Sequence, residues 1–126
     1  MKSLRHLVPV ALLVLGTLLV AGCSDDDEDG GTVTPNSTIT IVPNAFNLGM
    51  MAFSPASDTV HVGNIVRMHN GDSITHNIQP DAGAFPSWGS LPGNTGSNVT
   101  ANTAGTFGYH CTIGSHTMSG TLVVLP

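Results

Sequence analysis

The stretch that decides the fold runs from residue 105 to residue 124 and reads GTFGYHCTIGSHTMSGTLVV. In its first half, Phe107, Tyr109 and Cys111 share one parity, and the closing TLVV alternates in the same way. Alternation with a period of two, interrupted by Gly and Ser, is typical of β-strands joined by a short loop. The stretch therefore predicts two late strands with a loop between them.

The same alternation recurs from residue 38 onward, in segments separated by Gly, Pro, Asn and Ser. These segments are TITI (38–41), TVHV (59–62), VRMH (66–69) and ITHNI (74–78). No capped helical stretch stands out, and strands of this length fit two sheets packed face to face. We predict an all-β antiparallel sandwich of about seven or eight strands, in which Phe85 and Trp88 anchor a long connection.

The first residues read as an export signal. Lys2 and Arg5 precede an apolar run over residues 7–22, which is too short for a membrane span. Small residues before Cys23 resemble the bacterial lipoprotein processing box. We therefore predict a lipoprotein signal peptide at residues 1–22, cleaved before Cys23, which is then acylated. The alternative is an ordinary signal peptide with an incidental cysteine.

Residues 23–37 are predicted to be an acidic, flexible tether. The run DDDED at 25–29 repels itself, so a solvated spacer is favoured over a cation site. The chain has three Lys and Arg in all, and two of them leave with the signal, so Arg67 remains against all eight acids. Such an acidic chain is not expected to bind nucleic acid, which requires clustered Lys and Arg.

Cysteine usage points to a metal ligand. The sequence has two cysteines; if the lipid takes Cys23, then Cys111 stands alone in an exported protein, where disulfides are usual. Such a cysteine is an intermolecular partner, a reactive thiol or a metal ligand. Strand parity turns Cys111 inward, and it places His76 on the inward face together with Ile74 and Ile78. The loop after Cys111 brings His116 and Met118 close. Two imidazoles, a thiolate and a weak thioether suit copper as both Cu(I) and Cu(II), so we predict one copper ion as the cofactor.

Strand parity also argues against the other histidines of the strands as metal ligands. His110 has the opposite parity to Cys111 and should point away from the site. His61 and His69 fall on the polar parity of their strands and are predicted to be surface residues.

The chain also resembles the cupredoxins. The matching segments, in order, are FSP (53–55), VHVG (60–63), NGD (70–72), THN (75–77), GTFGYHC (105–111) and MSGTLVV (118–124). Over residues 38–126 they are similar to a plastocyanin- or azurin-like type 1 blue copper protein. The resemblance implies a Greek-key sandwich, one-electron transfer, and His76, Cys111 and His116 as equatorial ligands.

One spacing departs from that family. Only Thr117 separates His116 from Met118, where three or four more residues are usual. Met118 remains the predicted weak fourth ligand, and the alternatives are a contact from the Thr75 carbonyl or a three-coordinate site. Asn77 is expected to pin the loop of His76 to that of Cys111. His116 is expected to reach the surface, where Ile113, Gly114, Pro80 and Phe85 are candidates for the weakly polar surroundings.

These features predict an electron carrier, exported and lipid-anchored at the periplasmic or extracellular face of a membrane. We expect a monomer with a transient protein donor and acceptor. The alternative is a copper module for storage, delivery or sensing. Proteins that pass copper on usually expose clusters rich in Met or His, and here Met50-Met51 is the only adjacent methionine pair. An enzyme would need an open coordination position or a second metal centre, so no enzymatic activity is expected, and the ligand set disfavours a metal-free interaction domain.

Overall fold

The computed structural model describes residues 32–82 and 85–126. The predicted signal peptide at 1–22 and the start of the predicted tether, with Cys23, lie outside these residues. Within the described part, no helix is both long and apolar enough to cross a membrane.

Nine strands and two short 3-10 helices make up the described part of the chain. The strands are β1 (Ser37–Ile41), β2 (Phe53–Ser54), β3 (Ser57–His61), β4 (Ile65–Asn70), β5 (His76–Pro80), β6 (Gly89–Leu91), β7 (Gly96–Thr100), β8 (Gly105–Cys111) and β9 (Ser119–Leu125). The 3-10 helices, Ala45–Asn47 and Met50–Ala52, lie between β1 and β2. The all-β prediction is confirmed, with slightly more strands than expected and with β1 beginning one residue before position 38.

The long strands bury every second side chain, as the alternating pattern predicts. Val66 and Met68 of β4 are fully buried, and so is Leu122 of β9. In the long connection, Trp88 is 3% exposed and its Nε1–H donates to the carbonyl oxygen of Val66 at 3.1 Å. Phe85 packs edge-on against it with ring centroids 5.0 Å apart. The two aromatic residues therefore anchor this connection to the core.

The strands form two sheets, with orders β2-β1-β4-β7 and β3-β9-β8-β5-β6. The pairs β1–β4 and β3–β9 are parallel, whereas the others are antiparallel. The predicted sandwich is confirmed, and its two sheets are mixed, with two parallel pairs among the seven strand pairs. Period-two alternation shows which side chains face the core, but it carries no information on the direction of the neighbouring strand.

The start of β5 lies beside the end of β8. These strands pair antiparallel, with Ile78 opposite Cys111. Strand β5 begins only at His76, so Ile74 precedes it and is 41% exposed. The expectation that Ile74 shares the inward face of His76 was wrong, because parity holds only within an extended strand.

Candidate metal centre

Three side chains meet where β5 starts and β8 ends, and we call them the metal centre: His76, Cys111 and His116. Their ligand atoms all lie within 4.8 Å of one another. Sγ of Cys111 lies 3.9 Å from Nδ1 of His76 and 3.4 Å from Nδ1 of His116. His76 is fully buried and Cys111 is 5% exposed, whereas His116 is partly exposed. The structure thus brings together the three residues that the sequence singled out.

Backbone hydrogen bonds hold the loop between β8 and β9 in place. The N–H of Thr112 donates to the carbonyl of Asn77 at 2.9 Å, which joins the Cys111 loop to the strand that carries His76. The N–H of His116 donates to the carbonyl of Ile113 at 3.0 Å, and the N–H of Thr117 donates to the carbonyl of Phe46 at 2.8 Å. The backbone carbonyl of Asn77 thus links the two segments that carry His76 and Cys111. Thr75 is an exposed residue directly before β5.

Met118 closes the loop from the core side. It is 2% exposed, and its carbonyl accepts the N–H of Cys111 at 3.2 Å. A parallel bridge links it to Gly49, whose carbonyl accepts the N–H of Ser119 at 3.1 Å. The short spacing after His116 is thus accommodated with Met118 buried directly before β9. Ligation by its thioether stays a prediction, as does the alternative contact from Thr75.

A buried carboxylate behind His76 had no predicted role, although Asp72 was part of the NGD motif. Oδ2 of Asp72, which is 4% exposed, lies 3.1 Å from Nε2 of His76. Burial by itself raises the pKa of this carboxyl, but hydrogen bonds from His76 and from the backbone N–H groups of Asn44, Ser73 and Ala45 outweigh it and lower the pKa to about 2. The spacing D-x3-H was the only sequence signal for this contact.

The remaining histidines of the described part lie away from the centre. The ring of His110 is directed to the exposed carboxylate of Asp81. His61 is exposed, and its Nδ1 lies 3.0 Å from the carbonyl oxygen of Pro126. His69 is partly buried on the polar side of β4. The parity argument correctly separated His110 from Cys111.

An exposed aromatic ring lies beside His116, on a connection that carries further exposed apolar side chains. The ring of Phe46 lies 6.1 Å from that of His116, centroid to centroid. Phe46, Leu48, Met50 and Met51 are 41%, 39%, 62% and 76% exposed, respectively, and we call them the apolar rim. The sequence had suggested Ile113, Gly114, Pro80 and Phe85 for this surface. Phe85 is buried in the core at 5% exposure, so its assignment to the surface was wrong.

The donor set fits a single copper ion. Ligand atoms bound to one ion at about 2.0–2.3 Å in a trigonal plane lie roughly 3.5–4.0 Å apart, close to the separations around Sγ of Cys111. Two imidazoles with one thiolate are the ligands of trigonal copper sites that transfer electrons. The metal centre is therefore consistent with one copper ion.

Structural comparison identifies the fold as that of the cupredoxins. A purple cupredoxin from Nitrosopumilus maritimus superimposes with a TM-score of 0.61 at 22% identity, covering 71% of this chain and 99% of its own. A reduced Cu(I) form of an amicyanin variant gives 0.57 at 24% identity, covering 74% of this chain and 86% of its own. Another reduced amicyanin variant gives 0.54 at 24%, covering 69% and 79%. Comparison with protein-family models and with curated proteins gives no match.

Proposed function

We propose that this protein is a mononuclear type 1 copper protein that carries single electrons between redox partners. The observation that carries the proposal is the convergence of Nδ1 of His76, Sγ of Cys111 and Nδ1 of His116 within 4.8 Å. Copper held there supplies reversible one-electron chemistry between Cu(I) and Cu(II). In this proposal Met118 is the weak fourth ligand, and the protein is a carrier, not an enzyme.

The burial of the three residues suits this role. His76 and Cys111 are buried in the core, whereas His116 is partly exposed and lies beside Phe46 of the apolar rim. A rigid, mostly dry site keeps the ligands in place when the charge of the metal changes. The partly exposed imidazole of His116 gives a short path to a partner, and a small apolar surface suits transient redox encounters.

The test is the visible spectrum of the protein titrated with Cu(II). We expect an intense thiolate-to-copper charge-transfer band and reversible one-electron voltammetry. Cys111→Ser should abolish the band, while Met118→Leu should keep the colour and shift the potential. A colourless Cu(II) form that does not cycle would refute the carrier function and favour copper storage, delivery or sensing. An unchanged potential in Met118→Leu would remove Met118 from the ligand set.

We also propose that the chain is exported and anchored by a lipid on Cys23, so that it meets its donor and acceptor at a membrane surface. The sequence of the processing box supports this. In a bacterial host, metabolic labelling with a fatty acid should label the wild-type protein but not Cys23→Ser, which should appear in the soluble fraction. Equal labelling of the wild-type protein and Cys23→Ser would contradict acylation at Cys23.

A further inference from the structure

Asp72 is the most unusual side chain near the metal centre, because it is a buried carboxylate. Aspartate is almost never fully buried unless it is paired. Here Oδ2 lies 3.1 Å from Nε2 of His76, and the two side chains are 5% and 0% exposed. A negative charge therefore lies next to Nε2 of His76, while Nδ1 of the same ring faces Cys111.

The carboxylate is fixed on several sides. Oδ2 also accepts the N–H of Ala45 at 3.2 Å, and Oδ1 accepts the N–H of Ser73 at 2.7 Å. The N–H of Asp72 donates to Oδ1 of Asn70 at 2.9 Å. The amide of Asn70 in turn donates to the carbonyls of Ile74 and Leu91 at 2.7 and 2.9 Å. Rotation of the carboxylate would break several buried hydrogen bonds, so its position is set by the fold.

This contact determines which nitrogen of His76 carries the proton. A carboxylate accepts hydrogen bonds, so Nε2 must be the donor, and Nδ1 keeps its lone pair on the side of Cys111 Sγ. Turning the ring over would break the hydrogen bond between His76 and Asp72 and leave Nε2 of a fully buried imidazole without its partner, which is costly. The described residues give His116 no comparable carboxylate, since the only other His–Asp pair is His110 with Asp81.

We propose that Asp72 is a positioning residue that holds His76 as a preformed copper ligand and, through its buried charge, favours Cu(II) over Cu(I). The inference rests on the proposed function. Carboxylates that accept the free N–H of a ligating histidine fix its tautomer and raise its basicity. A nearby negative charge stabilises the more positive oxidation state, so Asp72 lowers the reduction potential.

The test compares Asp72→Asn with Asp81→Asn. Both substitutions remove one negative charge from a His–Asp pair, but the second pair is exposed and points away from the metal centre. We expect Asp72→Asn to weaken Cu(II) binding about 10–100-fold and to weaken Cu(I) binding less. The reduction potential rises because Cu(II) binding is weakened more than Cu(I) binding. Each tenfold difference between these two losses of affinity corresponds to about 59 mV for a one-electron couple. Asp81→Asn should leave the potential close to that of the wild type. Equal potentials in the two variants would overturn the proposal.

A measurement without copper keeps this test separate from that of the proposed function. In the wild-type apoprotein, nitrogen-15 NMR of the imidazole rings should show His76 as the single Nε2–H tautomer, whereas Asp72→Asn should show a mixture. The wild-type spectrum suffices if the variant does not fold. A wild-type His76 protonated at Nδ1 would contradict the role of Asp72, whether or not the protein binds copper.

Discussion

A methyl group added at Gly120 tests how tightly the metal centre is joined to the core. Gly120 lies two residues after Met118, on β9 opposite Tyr109 of β8. In Gly120→Ala the new Cβ would lie 2.5 Å from Cε2 of Tyr109 and closer still to Cζ and the hydroxyl oxygen. Tyr109 is fully buried, between the rings of Phe53 at 5.0 Å and Trp88 at 5.3 Å, both edge-on. Any shift of the ring would therefore displace these core neighbours.

The expected effect follows from the overlap. Ordinary contacts of a Cβ begin at 3.4 Å, so the methyl intrudes by at least 0.9 Å (3.4 − 2.5). Overpacking of this kind typically costs about 1–3 kcal/mol, and we expect the upper end because a buried aromatic ring and two paired strands must shift. For a domain of this size, about 3 kcal/mol lowers Tm by roughly 12–24 °C. Since Cys111 ends β8 and Met118 directly precedes β9, the visible band of the copper form should also broaden or shift.

Gly108→Ala is the matched control. Gly108 lies on β8 opposite Thr121, and its new Cβ would meet the carboxylate of Asp81, an exposed side chain that can turn away. Urea unfolding of the two copper-free variants, followed by circular dichroism, gives the difference in midpoint at constant slope. Gly108→Ala should stay within about 0.5 kcal/mol of the wild type. If both variants unfold at the same urea concentration, the packing around Tyr109 does not constrain the site as described.

Three further outcomes are expected. Copper at a free concentration of 100 times its Kd should stabilise the protein by about 2.7 kcal/mol, and calorimetry should show this gain vanish in Cys111→Ser; a gain that survives would place the metal elsewhere. His110→Ala should leave the visible band unchanged while His116→Ala alters it, and the reverse would show that the assignment from strand parity is wrong. Trp88→Phe should lower the free energy of unfolding by about 1 kcal/mol, measured in urea, because it leaves the carbonyl of Val66 without its 3.1 Å partner; an unchanged midpoint would contradict this.

The sequence predicted the strand residues of the metal centre better than it predicted their surroundings. Cys111 lies inside an unbroken strand, so counting parity from Tyr109 was enough to turn it inward. His76 was also placed correctly, although Ile74, used to establish its parity, lies outside the strand and is exposed. The direction of β1 and β3 relative to their neighbours was not predictable, because strands that are distant in sequence meet there and alternation is blind to direction.

The role of Asp72 could not be read from the sequence for a different reason. Its carboxylate reaches His76 only because the turn from Asn70 to Ile74 folds back on itself, held by the buried amide of Asn70. The motif D-x3-H fixes a distance along the chain, but the hydrogen bond depends on tertiary contacts with Ala45 and Leu91. Likewise, Phe46 reaches His116 from the connection between β1 and β2, far from the metal ligands in sequence.

These contacts divide the proposed copper site into a fixed side and an accessible side. His76 is buried and hydrogen-bonded to a carboxylate that the fold itself holds, so its imidazole has one orientation. His116 is held mainly through the backbone of its loop and is partly exposed beside Phe46. Electron transfer benefits from both properties, since a rigid ligand limits rearrangement while an exposed one shortens the distance to a partner. Substitutions on the fixed side should therefore change the potential and metal affinity, whereas substitutions in the apolar rim should change the rate of electron exchange and leave the potential near its wild-type value.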